Sequence, residues 1–348
     1  MAQGDHVLLT GATGHLGFRV LLYLLEHGYQ VRAAVRSAKK SDALTSNPSL
    51  KALNRGSQLS FTTVPDFLAA NAFDEAVQGI KYIVHVASPI PKGEPEDGDY
   101  DAAFYQPAIR GTLGVLESAQ KAGGVKRIVV TSSAVALTGP SMGIGGDGTK
   151  VWNSKDRQDG KYEPFTEARG AYAASKVYAL NEAEAWIAKE KPAFDVIHIH
   201  PAFIFGRDNL ADDTATFQTG TNKFVVNVAL GNATAGVTLP LSYTHVDDSA
   251  LAHVLALNPK VEGNQSFILS NSGQEGESYA DIVKVVEEKY PEQVKSGLFK
   301  GKEAWGSAQW NADVKKTEEL LGRKQAGLEE VTVSVLDHYV EVAKKEQE

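Results

Sequence analysis

The chain contains no cysteine in 348 residues. Disulfides, thiolate metal sites and a cysteine nucleophile are therefore excluded together. It also lacks any apolar run of transmembrane length, and no secretory signal precedes its first apolar run. A cytoplasmic protein without membrane contact is the expectation. Basic residues are the minority, 35 Lys and Arg against 43 Asp and Glu, for a net charge of −8. The isoelectric point lies near 5.7. That balance argues against nucleic acid or an anionic membrane as the main partner. Internal repeats and disordered linkers are missing too. Asn232 and Asn264 open glycosylation sequons, read as chance matches in the absence of a secretory signal. What is present is hydrophobic content of 43%. The length suits one large α/β unit plus a smaller lobe.

The rest of the chain is organised around the run from Thr10 to Gly17, TGATGHLG. Val7-Leu8-Leu9 before it reads as a strand. Leu16, Val20, Leu21, Leu24 and Leu25 after it mark one face of a helix. The spacing therefore predicts strand, tight turn, helix. Gly11 suits the positive φ of the turn. Gly14 lets backbone approach a pyrophosphate, and Gly17 lets the helix pack down on the strand. The helix N-terminus then offers N–H groups and a positive dipole end to phosphates. Thr10, Gly11, Thr13, Gly14, His15, Leu16 and Gly17 are accordingly candidate dinucleotide contacts. A second glycine triplet, Gly143, Gly145 and Gly148, follows no strand and precedes no helix. It is read as part of a mobile surface segment from Thr138 to Thr166.

Strand-like and helix-like runs alternate over the first 200 residues. Strands are expected at Gln30–Val35, Leu59–Val64, Tyr82–Val86, Arg127–Thr131 and Phe194–His200. Helices are expected near Pro48–Asn54, through Phe73–Val77, from Asp101 to Ala122 and from Ala168 to Lys189. This alternation calls for a parallel sheet covered on both faces. Phe203–Gly236 shows no clean pattern. Further on, a helix after His245-Val246-Asp247-Asp248, a strand at Ser266–Ser270 and helices at Ser278–Lys289, Asn311–Leu320 and Leu328–Lys345 are expected. Ligands of such sheets bind beyond the carboxyl ends of the strands. The segments leaving those ends start at Thr10, Arg36, Asp66, Ala87, Ser132 and Pro201, and they are expected to converge on one crevice.

Tyr172-Ala-Ala-Ser-Lys176 carries the second signal. A spacing of four places Tyr172 and Lys176 on one helix face. A phenol titrates near 10 and is a poor acid–base group at neutrality. A neighbouring ammonium favours the phenolate, so the pair suits proton exchange with an alcohol or carbonyl oxygen. Thr131-Ser132-Ser133 ends the strand between the two motifs. Adjacent strand residues face opposite ways. Ser133 shares its face with Val129 and Thr131, and Ser132 shares its face with Ile128 and Val130, which read as core.

Together these motifs resemble an extended short-chain dehydrogenase/reductase, within it the dihydroflavonol-4-reductase-like and fungal aldehyde or ketone reductase branch. Val31–Ser37, His85–Pro89, Pro107–Ala119, Val125–Ala134, Tyr172–Lys176, Pro201–Gly206 and His245–His253 carry the resemblance, from residue 7 to about 255. It implies a Rossmann-type doubly wound sheet, with a smaller, discontinuous C-terminal lobe for substrate. The NADP-binding part would be 1–202 with 241–271, and the substrate lobe 203–240 with 272–348. It implies Tyr172 as the general acid of carbonyl reduction, Lys176 on the nicotinamide ribose and Ser133 on the substrate oxygen. Asp66 and Phe67 would flank adenine. Ala87 and Ser88 would lie near the ribose, with Thr131 close by. Pro201, Ala202 and Phe203 would meet the nicotinamide amide. Pro89, Ala134, Met142 and Phe203 would border the substrate. The run Gln106-Pro107-Ala108-Ile109-Arg110 departs from the asparagines of sugar epimerases and leaves a proton relay beyond Lys176 unassigned.

The cofactor is expected to be NADPH. An NAD enzyme places a carboxylate at the end of the second strand to bind the ribose 2′-hydroxyl. Here that strand ends in Arg36, with Lys39 and Lys40 behind it, which suits a phosphate. The reading is an NADPH-dependent carbonyl reductase acting on a mostly uncharged, partly apolar aldehyde or ketone, as a monomer or homodimer. The alternatives are a nucleotide-sugar epimerase or dehydratase, and a non-catalytic NADP sensor. His198 and His200 share a strand face without a third ligand, so no metal site is expected. Asp247 or Asp248 is read as a helix N-cap. Trp152 could line a pocket or fill core, and Phe205 is read as core.

Overall fold

A computed structural model describes residues 4–88, 93–140, 149–234, 236–271 and 277–348. Strand β1 (His6–Thr10) leads into helix α1 (His15–Glu26) and strand β2 (Gln30–Val35). Helices α2 (Ala38–Ser46) and α3 (Pro48–Ala52) precede β3 (Leu59–Thr63) and β4 (Tyr82–His85). Then come α4 (Gln106–Ala122), β5 (Arg127–Thr131), α5 (Val135–Thr138), β6 (Val151–Trp152), α6 (Ala168–Glu190) and β7 (Asp195–Pro201). The remainder runs β8 (Phe203–Phe205), α7 (Lys223–Ala229), β9 (Thr238–Leu241), β10 (Tyr243–His245), α8 (Val246–Leu255) and β11 (Gln265–Leu269). It closes with α9 (Tyr279–Lys289), α10 (Pro291–Lys295), β12 (Gly306–Gln309), β13 (Asn311–Ala312), α11 (Lys315–Leu321) and α12 (Leu328–Lys345).

Seven strands form the main sheet in the order β11-β7-β5-β4-β1-β2-β3. From β3 to β7 every neighbouring pair is parallel. The order reverses between β1 and β4, which is the switch point of a doubly wound Rossmann-type fold. Its central strands are apolar on both faces because helices cover both. Leu8, Ile83, Ile128 and Val196 sit in one buried cluster with Val115 and Leu116 of α4. Small buried residues on α6, Ala171, Ala173, Ala174 and Ser175, allow its backbone to come close to α4 and α5.

The chain divides into two compact units. One comprises Met1–Ser141, Ser154–His200 and Ala250–Phe267; the other comprises Met142–Asn153, Pro201–Ser249 and Ile268–Glu348. The second has its own core, in which α7, α9 and α12 contribute Val225, Val226, Ile282, Val286, Val335 and Leu336. Phe205 is fully buried in it. Trp152 is half-buried, with the Lys150 ammonium 3.7 Å over its ring.

Several elements differ from the sequence expectation. The helix expected through Phe73–Val77 is a run of turns instead. Asn71 takes a φ of 60°, and a left-handed residue interrupts a helical ladder. The expected helix from Asp101 opens in a wider π-type turn, Asp101–Tyr105, just before Pro107. Proline has no N–H for the i−4 carbonyl, and the widened turn accommodates that loss. The helix expected from Asn311 starts at Lys315, with β13 in its place. α8 starts at Val246, which puts Asp247 and Asp248 in its first turn and past the N-cap position. The Asp247 N–H donates to His245 Nδ1. Asp248 is buried, accepts from the Ala326 N–H at 2.8 Å and pairs with Arg323. The triplet Gly143, Gly145 and Gly148 lies outside the described residues.

Candidate active site

The turn after β1 is built by glycine for two distinct reasons. Gly11 has a φ of +79°, and a Cβ there would lie 2.7 Å from the Ala87 backbone nitrogen. A Cβ on Gly17 would overlap the Gly11 carbonyl oxygen. Gly14 differs from both. A Cβ there would meet only the Gly11 oxygen, at an ordinary 3.6 Å. The protein's own packing therefore does not require glycine at 14, whereas a ligand lying on the backbone would. Gly14 is also the N-cap of α1, which carries no side-chain cap and no acidic residue in its first turn. That end keeps its positive dipole for an anion.

The Thr10 side chain is buried and engaged inside the protein. Its hydroxyl lies 2.9 Å from His85 Nδ1 and accepts from the Ala87 N–H at 3.2 Å. It ties the end of β1 to the end of β4. Burial, helped by the nearby Lys176 charge, pushes His85 down to about 4, so it is neutral. A neutral imidazole with a hydroxyl at Nδ1 can accept there, which leaves Thr10 free to accept from Ala87.

Arg36, Lys39 and Lys40 are exposed where β2 runs into α2. Among the described residues the Arg36 guanidinium has no hydrogen-bond or ion-pair partner. Asp66 accepts from the Leu68 N–H at 2.8 Å, and the Phe67 ring packs 5.2 Å from Phe73. An uncrowded Gly14, an uncapped helix end and an unpaired guanidinium at the end of β2 fit a dinucleotide carrying a 2′-phosphate.

The chemistry-bearing side chains meet on α6. The Ser133 side chain lies beside the Tyr172 phenol. Lys176 is buried, its Nζ 5.5 Å from the Tyr172 ring centre, and it donates to Ser88 Oγ at 2.6 Å. Burial pushes Lys176 down to about 8. Burial also raises Tyr172 above the ordinary phenol value, and the Ser133 side chain opposes that rise. The expectation that the lysine lowers the phenol is thus corrected: desolvation dominates, and Tyr172 is held protonated. A protonated phenol is set for proton donation.

The two serines at the end of β5 part company. The Ser132 N–H donates to the Ile199 carbonyl and extends the ladder to β7. The Ser133 hydroxyl accepts from the Val135 N–H at 3.4 Å and lies beside Tyr172. Thr131 lies 2.8 Å from His253 Nε2 through its hydroxyl. Ala134 is buried at the start of the turn into α5. In the second unit Pro201 is buried, the Ala202 N–H donates to Leu269, and Phe203 packs 5.0 Å from Phe224. Pro89 and Met142 lie outside the described residues. His198 and His200 are buried, with ring centres 6.3 Å apart. Among the described residues no group of three or more metal-ligating side chains is placed to hold a metal, and no helix is long and apolar enough to cross a membrane.

Sequence reading missed three contacts. His85 holds Thr10 and His253 holds Thr131, as above. Glu94 caps the catalytic helix: both its carboxylate oxygens accept from the Ala168 N–H, at 3.1 and 3.0 Å, and one accepts from the Tyr100 hydroxyl. A carboxylate so far from the helix start in sequence leaves no local signature.

This geometry is joined by family evidence. The chain matches the model of the NAD dependent epimerase/dehydratase family over residues 7–269. It belongs to that family, the extended short-chain dehydrogenases/reductases, and is an NAD(P)-dependent oxidoreductase. It is similar to ketoreductase CTB6 of Cercospora beticola, 40% identical over 351 residues, with 98% of this chain and 96% of that one covered. It is also similar to the bifunctional dihydroflavonol 4-reductase/flavanone 4-reductase of Pyrus communis, 30% identical, with 86% and 81% covered. Among solved structures, Gre2 of Candida albicans in complex with NADPH superposes with a TM-score of 0.80 at 25% identity, covering 97% of this chain and 99% of that one.

Proposed function

We propose that this chain is an NADPH-dependent carbonyl reductase, converting an aldehyde or ketone reversibly to the alcohol. The observation that carries the reading is the meeting of Ser133, Tyr172 and a buried Lys176, whose Nζ lies 5.5 Å from the Tyr172 ring centre and donates to Ser88 Oγ. Bound NADPH would supply the hydride. The glycine turn and the α1 N-terminus would hold its pyrophosphate, Arg36 its 2′-phosphate, and Lys176 its nicotinamide ribose. Tyr172 holds the proton that the carbonyl oxygen takes up, and burial keeps that proton on the phenol at neutral pH. Ser133 orients the same oxygen and favours the phenolate as the proton leaves. Lys176, buried and easily neutralised, is suited to proton exchange near the tyrosine, and its ammonium is held by Ser88 Oγ.

Residues 1–202 with 241–271 are assigned to cofactor binding, and 203–240 with 272–348 to substrate binding. The half-buried rings of Phe203, Phe224 and Trp305 support an apolar substrate, because they form one aromatic surface in the second unit. The name of the Cercospora beticola relative, a ketoreductase, points to a ketone. The test is NADPH oxidation with aldehydes, diketones, β-keto esters and flavanonols, with the alcohol product identified. Stoichiometric NADPH consumption with alcohol formed supports the reading. A nucleotide sugar converted with no net change in cofactor would replace it with an epimerase.

A further inference from the structure

We propose that His200 is a positioning residue for Ser133, acting through the serine's main-chain carbonyl. The inference rests on the carbonyl-reductase reading above. Its starting point is the β5–β7 ladder, in which Thr131 pairs with Ile199. The last backbone rung is Ser132 N–H to Ile199 carbonyl, at 2.7 Å. In a parallel ladder the next rung would run from the N–H of residue 201 to the Ser132 carbonyl. Residue 201 is proline and has no N–H. The pairing must end there, and the chain from Ser133 onward leaves β5 for α5.

His200 takes over at that break. Its Nδ1 lies 3.2 Å from the Ser133 carbonyl oxygen. A carbonyl only accepts, so Nδ1 carries the hydrogen and donates. The same carbonyl accepts from the Ala136 N–H at 3.0 Å. Ser133 is thereby gripped from two sides, by the turn into α5 and by an imidazole from β7. The side chain so placed is the one that lies beside the Tyr172 phenol. His200 is fully buried, and among the described residues its Nε2 has no hydrogen-bond partner. Burial holds the ring well below its ordinary value, with His198 and Arg157 adding to the effect, so it stays neutral and keeps one tautomer. An ionisable ring buried with one nitrogen unsatisfied is costly for a purely structural part, and a hydrocarbon would fill the space without that cost.

The test uses the purified full chain and measures kcat, KM for NADPH, NADPH binding, thermal midpoint and the pH profile of reduction. His200→Leu is expected to lower kcat about five- to tenfold, the size of one lost hydrogen bond, with KM for NADPH within about twofold. The alkaline limb of kcat should move to higher pH, because a misaligned Ser133 no longer favours the Tyr172 phenolate. Introduced on Ser133→Ala, His200→Leu should cost nothing further. Asparagine can place an amide donor near the Nδ1 position and glutamine cannot, so His200→Asn should outperform His200→Gln. That comparison keeps the test open if the apolar variant does not fold. Equal or reversed ranking of those two variants, or a full His200→Leu loss in the Ser133→Ala background, overturns the inference. Wild-type turnover in Tyr172→Phe would instead overturn the reading on which it rests.

Discussion

Gly11 and Gly17 are locked together: the carbonyl oxygen of the first occupies the space in which a Cβ of the second would stand. The helix can therefore seat on the strand only with glycine at 17. Gly14, between them, has no such constraint. Gly17→Ala is expected to destabilise the fold by about 1–3 kcal/mol. Gly14→Ala is expected to keep the wild-type thermal midpoint and lose NADPH affinity. Thermal melts and cofactor titrations of both variants separate the two roles. Loss of stability in Gly14→Ala with affinity retained would reverse the assignment.

Arg36 follows the last residue of β2, and among the described residues its guanidinium is unpaired. As the 2′-phosphate contact it should supply a charge-assisted hydrogen bond of about 1.5–3 kcal/mol. Arg36→Ala is expected to cut kcat/KM for NADPH about 10- to 100-fold and to leave kcat/KM for NADH nearly unchanged. Equal losses with both cofactors would show that Arg36 does not read the phosphate.

Three buried histidines should make the fold acid-sensitive. His85 and His198 are pushed down to about 4, and His200 well below its ordinary value, all chiefly by burial. The unfolded chain takes up these protons near pH 6.5, whereas in the folded chain His85 and His198 resist until about pH 4 and His200 also resists well below its ordinary value. The stabilisation is present above pH 6.5 and is lost as pH falls through that window, by up to about 1.4 kcal/mol per pH unit for each ring. The thermal midpoint should drop from pH 7.5 to pH 5, and His198→Gln should flatten the slope. An unchanged midpoint over that range would contradict this.

Much of the fold was legible because its signals are local and periodic. The apolar run at Val7, the glycine turn and the amphipathic α1 sit side by side in sequence. Tyr172 and Lys176 declare themselves by helical spacing. The contacts that remained hidden join residues far apart in the chain. Thr10 with His85, Glu94 with Ala168 and His200 with Ser133 are side-chain bonds that follow no period. The turns at 67–79 look helical in composition, and only the left-handed Asn71 marks the difference. The rise of the Tyr172 pKa was not legible either, because desolvation depends on everything packed around the ring and the lysine spacing reports only one neighbour.

The central claim is that Tyr172 delivers the proton. Replacing it by phenylalanine removes the hydroxyl and little else. The decisive measurement is kcat for reduction of the best carbonyl substrate at saturating NADPH, with NADPH affinity and thermal midpoint measured on the same preparations. Tyr172→Phe is expected to lose about 10²–10⁴-fold in kcat while binding NADPH and melting like the wild type. A variant that turns over at near the wild-type rate would contradict it.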